Sequence, residues 1–84
     1  MRGWTLLFLE LDWATGRLGI WLRDESSVPR RIFAEEVSDL HAPRASAEAS
    51  LVIEGLAHTA ESLEIRMRSG EVIRITARNI LLPA

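Results

Sequence analysis

From Ser62 to Arg78 the chain alternates apolar and polar residues with a period of two. Leu63, Ile65 and Met67 are separated by Glu64 and Arg66, and Arg68 follows. Beyond Ser69-Gly70, Ile73, Ile75 and Ala77 are separated by Arg74 and Thr76, with Arg78 after them. This period puts each apolar set on one face of a strand and excludes an amphipathic helix, whose apolar residues recur every three to four positions. Two such runs about a glycine read as a hairpin. Setting Met67 opposite Ile73 and Ile65 opposite Ile75 requires an odd-length loop of three or five residues centred on Gly70, which supplies a positive φ.

A second hairpin stands near the start of the chain. Trp4–Trp13 and Leu18–Arg23 flank Ala14-Thr15-Gly16-Arg17. An even-length loop places Trp13 opposite Leu18, Leu11 opposite Ile20 and Leu9 opposite Leu22, one continuous apolar face, with Gly16 at positive φ. The other face carries Trp4, Leu6, Phe8 and Trp21, interrupted by Glu10, Asp12 and Arg23. A half-exposed strand alternates apolar with polar residues, and this one does not. Its cover is either the Phe33–Leu40 segment of the same molecule or another protein chain.

Between the hairpins, Asp24–Pro29 reads as a loop, because Pro29 biases Val28 to extended geometry and lacks a ladder donor. Phe33, Val37 and Leu40 have helical spacing, yet the same residues suit a strand over Arg31–Ala34 followed by a short strand or helical turn to Leu40. Ala42–Ser50, with Pro43 and a run of Ala and Ser, is a connection. Leu51–Thr59 reads as a strand disturbed at Gly55, the mark of a bulge; a helix over Ala45–Leu63 would have to accommodate Gly55 and β-branched residues. No internal repeat stands out. The expected fold is all-β, or β-rich with one short helix near residues 34–40. It is a single domain over residues 1–84 with about six antiparallel strands in a small sandwich or half-open barrel.

The 84 residues include no cysteine, which removes disulfides and thiolate metal sites and favours a reducing compartment. The apolar start ends at Glu10 and Asp12 without a small-residue cleavage site, and no stretch reaches the length of a membrane span. These features point to a cytoplasmic protein. The formal net charge of −2 recruits neither nucleic acid nor an anionic membrane by bulk electrostatics. All ten cations are arginine, a bias that bidentate anion recognition and a GC-rich genome would both produce.

Chemistry-bearing motifs are lacking. His41 and His58 have no metal-ligand spacing around them, no serine sits in a nucleophile elbow, and Asp24-Glu25 and Glu35-Glu36 point to opposite faces of a strand. The reading is therefore no enzyme, no cofactor and no metal. Two surfaces remain. One is the aromatic hairpin face of Trp4, Leu6, Phe8 and Trp21, suited to a protein contact, either self-association or a protein partner. The other is the set Arg66, Arg68, Arg74 and Arg78 on one side of the terminal hairpin, where Arg66 would oppose Arg74. Like charges opposed across strands are mildly destabilising, so an anion or nucleic-acid backbone is the alternative ligand; the bland reading is a solvated face neutralised by Glu54 or Glu61.

From Phe33 to Ile80 the chain runs F-x3-V-x2-L, then an LVI strand, then LEIRMRSGEVIRITARNI. This resembles the C-terminal half of small bacterial β proteins, including some toxin-immunity families. The resemblance covers about half of the chain. It implies an antiparallel β fold that acts by binding a protein, and it carries no functional residue over to a position in this sequence.

Overall fold

The computed structural model describes residues 1–43 and 50–83, all in strands, turns or extended connections. The strands are β1 (Thr5–Asp12), β2 (Arg17–Arg23), β3 (Pro29–His41), β4 (Ile53–His58), β5 (Ser62–Met67) and β6 (Val72–Leu81). They form one antiparallel sheet in the order β1-β2-β3-β6-β5-β4. The all-β expectation holds. The segment left between strand and helical turn is the second half of β3, and Ile53–Leu63 is not helical. Much of the expected Ala42–Ser50 connection, over residues 44–49, lies outside the described residues. No helix is long and apolar enough to cross a membrane among the described residues.

Each turn is held by its own chemistry. The Asp12 carboxylate accepts the amides of Ala14 at 3.1 Å and Thr15 at 3.3 Å, and Gly16 closes the four-residue loop at φ 70°. Asp24 accepts the amides of Ser26 at 2.8 Å and Val28 at 2.9 Å, and its second oxygen accepts Arg30 Nε at 3.1 Å. These bonds, that from the Val28 amide foremost, hold the Asp24 carboxyl below its ordinary value of 3.8. The Thr59 hydroxyl accepts the Ser62 amide at 3.0 Å, and Gly70 turns the last hairpin at φ 105°.

Both hairpin registers differ from expectation by two residues. Leu11 pairs with Leu18 and Leu9 with Ile20, leaving Trp13 in the turn, 86% exposed. Ile65 pairs with Ile73 and Leu63 with Ile75. A two-residue slide keeps every side chain on its face, so the apolar pattern cannot choose between the two registers. Charge and turn chemistry decide. The observed register puts Glu64 opposite Arg74 and Asp12 opposite Arg17, and the like-charged Arg66–Arg74 pair is not formed.

The sheet curls on itself. Its two edge strands meet at one bridge, Thr5 to Val52, where the Ile53 amide donates to the Trp4 carbonyl at 2.7 Å and the Leu6 amide to the Leu51 carbonyl at 2.8 Å. The Gly3 amide adds one more bond, to the Ile53 carbonyl at 2.9 Å, but among the described residues β1 and β4 form no continuous ladder, so the sheet is not a closed barrel. Inside lie Leu18, Ile20, Leu22, Ile32, Ile53, Leu63, Ile65 and Ile75, each essentially without solvent contact. At about 1.5–3 kcal/mol per buried Leu or Ile side chain, this cluster is the main source of stability.

The two halves of the chain are versions of one three-stranded unit. Leu6, Ile20 and Ile32 correspond to Ile53, Ile65 and Ile73, and exchanging counterparts converts one observed pair into another. Leu6–Leu22 becomes Ile53–Met67, Ile20–Ile32 becomes Ile65–Ile73, and Glu35–Asn79 becomes Thr76–Asp39. Val37–Ala77 and Thr5–Val52 map onto themselves and mark a pseudo-two-fold axis. The irregularities correspond too: β1 bulges at Leu7 and β4 at Glu54. Where β3 and β6 loosen, the Val37 amide donates to the Gly16 carbonyl at 2.9 Å and the Ala77 amide to the Glu61 carbonyl at 2.9 Å. Here Glu36 takes φ 52° and approaches Arg78 at 3.7 Å. No repeat stands out in the amino-acid sequence; the structure shows one.

Candidate functional site: an aromatic face on the N-terminal half

The expected contact face divides in two. In β1 the bulge at Leu7 inverts the alternation, so Leu6 turns into the core and Trp4 packs, half-buried, against the same cluster. Phe8 and Trp21 stay outside. They are cross-strand partners whose rings stack with centroids 4.7 Å apart and planes 10° from parallel. This is the offset-stacking range of aromatic pairs.

Two further side chains join them. Phe33 pairs with Gly19 on one side and Leu81 on the other, extending the apolar surface across β1, β2, β3 and the end of β6. Phe8, Phe33 and Leu81 are 52%, 43% and 58% exposed. Phe33 therefore enlarges the face instead of covering it, and Leu81 belongs to a central strand. The Trp21 ring lies over Gly19; a Cβ there would stand 2.5 Å from Trp21 Cη2 and closer still to Cζ3. A mid-strand glycine two residues before a tryptophan was the signal for this close approach. Phe33, Leu81 and Gly19 were all missed as members of the face.

Beside the stack runs a shallow groove of about 470 Å³ lined by Trp21, Phe33 and Leu81, with Glu10, Asp12 and Glu35 against the single cation Arg17. The volume is within the range of ligand sites. The Arg31 guanidinium stands 5.8 Å from the Phe33 ring centroid, a cation–π distance.

The arginines behave differently. Arg74 Nε lies 3.4 Å from Glu64, Arg68 Nε 3.7 Å from Glu54, and Arg78 Nε 3.7 Å from Glu36. Glu54 also holds Arg2 at 3.2 Å. Arg66 has no acid within 4.0 Å among the described residues, and its guanidinium lies over Gly55. Exposed pairs of this kind contribute at most about 1 kcal/mol each. They spread the positive charge over several carboxylates instead of gathering it. His41 and His58 are both exposed, and no group of three or more potential metal ligands occurs among the described residues.

Comparison with protein-family models, curated proteins and solved structures finds no match to this chain. The internal duplication supplies a comparison of its own. At the places of Phe8, Trp21 and Phe33 the C-terminal half carries Gly55, Arg66 and Arg74, and Leu81, which β6 contributes to the aromatic face, answers to His41 at the end of β3. The same backbone unit, with the same bulge, forms there without any aromatic residue on its outer face.

Proposed function

We propose that this chain is a non-catalytic protein-interaction domain that self-associates through the outer aromatic face of its N-terminal half. The observation that carries the reading is the internal comparison. Interior positions match between the halves because folding requires them, whereas Phe8, Trp21, Phe33 and Leu81 have no apolar counterparts. Folding therefore does not demand them. Leaving large aromatic groups in water on a sheet invites unwanted contacts, and a stacked Trp–Phe pair is the kind of group that dominates protein interfaces. The anion-binding alternative through Arg66, Arg68, Arg74 and Arg78 has weaker support, since three of these arginines already face carboxylates.

Sedimentation velocity over a wide concentration range tests the proposal. The wild type is expected to gain mass with concentration, and the Trp21→Ala, Phe33→Ala double variant to stay monomeric. A wild type that remains monomeric at millimolar concentration, or a double variant that associates equally well, would overturn it. An oligonucleotide titration at low ionic strength addresses the alternative: binding that weakens steeply with salt would favour the arginine face.

A further inference from the structure

The rim of the aromatic groove, Glu10, Asp12 and Glu35 against Arg17, is net negative even with Arg31 beside Phe33 counted. Placed against its own copy, it would bring like charge to like charge. The counterpart face on the C-terminal half has the opposite character. It presents Arg66, free of any acid within 4.0 Å among the described residues, and Arg74, whose Nε faces Glu64 at 3.4 Å while its side chain stays 64% exposed. Arginine is also the cation best suited to an aromatic wall, because its planar and weakly hydrated guanidinium stacks on rings. Within the molecule, Arg31 over Phe33 already shows this face accepting a guanidinium.

We infer that the occupant of the aromatic groove is the Arg66–Arg74 face of a second copy, so that association is head-to-tail. The inference rests on the self-association reading above and adds which surfaces meet. Each molecule carries one groove and one arginine face, related by the internal pseudo-two-fold axis. A contact between the first half of one copy and the second half of the next leaves a free groove at one end and free arginines at the other. Such heterologous contacts propagate into a ring or an open chain of subunits, whereas an isologous contact stops at the dimer. Part of the attraction is ionic and solvent-exposed, so it weakens as salt shortens the screening length.

Two variants that each disable one surface test this. The first is Trp21→Ala, Phe33→Ala, which removes the groove walls. The second is Arg66→Glu, Arg74→Glu, with Arg66→Ala, Arg74→Ala alongside should charge reversal disturb folding. Sedimentation of the wild type is expected to show species beyond the dimer, reduced at least tenfold in association constant between low and high salt. Each variant alone is expected to be monomeric. An equimolar mixture of the two should form a dimer and nothing larger, because each contributes its one intact surface. If the arginine variants still associate like the wild type, the groove meets itself; the head-to-tail inference falls and self-association stands. If both are monomeric and the mixture is too, the two surfaces do not meet and the inference again falls. A wild type that is monomeric at all concentrations removes both readings.

Discussion

Replacing Gly19 by Ala separates the aromatic face from the fold that carries it. The new methyl group would lie 2.5 Å from Trp21 Cη2 and closer still to Cζ3, whereas carbon atoms settle at about 3.5–4.0 Å. The ring must therefore retreat by roughly 1 Å or leave for another rotamer, since side chains occupy discrete wells. Either movement breaks the stack on Phe8 and forfeits about 0.5–1.5 kcal/mol. Against this, alanine in a strand interior gains about 0.5–1 kcal/mol over glycine from the smaller entropy loss on folding. The core is untouched, because Leu18 and Ile20 point to the opposite side. The net change in stability is below about 1 kcal/mol, a melting-temperature shift under about 8 °C for a domain of this size. Binding should suffer more. A tryptophan at the centre of an interface typically contributes about 2 kcal/mol or more, so displacing it should weaken association roughly 30-fold. Near-ultraviolet circular dichroism follows the ring, thermal melting follows the fold, and sedimentation follows association. A melting temperature lowered by more than about 15 °C would show that Trp21 over Gly19 is structural, contrary to the argument. An altered near-ultraviolet spectrum with unchanged association would show that the face is not the contact.

Gly70→Val isolates backbone strain: the residue has φ 105°, and no atom lies within 4 Å of where a Cβ would stand. A cost of about 1–2 kcal/mol should therefore lower the melting temperature by several degrees while association is preserved. An unchanged melting temperature would contradict the left-handed turn. Ile20→Ala and Ile65→Ala remove counterpart residues that are both fully buried, so each should cost about 2–5 kcal/mol and the two should lower the urea midpoint similarly; tolerance of one alone would break the equivalence of the halves. Acid should unfold the protein through its turn carboxylates. Asp24, bonded first by the Val28 amide, and Glu71, bonded first by the Ser69 hydroxyl, lie below their ordinary values of 3.8 and 4.5. Their stabilisation is complete above those values and is lost as pH falls through the lower folded ones, so Asp24→Asn should flatten the acid limb of a stability-against-pH curve, and an unaltered limb would refute the assignment.

Sequence alternation was sufficient for the fold class and for the inward faces of β2, β5 and β6, because a strand has only two sides and the core needs one of them. It could not fix registers, since a slide of two residues preserves every face. What selects Ile65 opposite Ile73 is a three-residue turn at Arg68-Ser69-Gly70, closed by the Met67 amide on the Glu71 carbonyl at 2.8 Å, together with Glu64 facing Arg74. The aromatic face was half legible for a different reason. Leu6, Leu7 and Phe8 are all apolar, so the sequence does not reveal which is the bulged residue, and moving the bulge by one exchanges inside for outside. Phe33 was hidden by a spacing that looks helical, which arises because β3 is irregular at Glu36 and again at Ser38. Each break shifts the apolar period away from two.

The same reasoning explains why the duplication escaped notice and why it matters. Interior positions are constrained in volume and polarity, not identity, so Leu22 answers to Met67 and Ala34 to Ile75 without loss of the core. The β4–β5 connection is shorter than that of β1–β2, and β3 carries the extra Glu36, so no single alignment offset spans the unit. Outer positions are free of the core and have diverged completely, from stacked rings on one half to guanidinium groups on the other. A monomeric fold needs nothing at these outer positions beyond side chains that water tolerates, which the arginine half supplies and the aromatic half does not. The features shared between the halves therefore account for stability. The feature present on one half only, Trp21 stacked on Phe8 above Gly19, is what the fold does not account for and what the proposed contact with a second chain would cover.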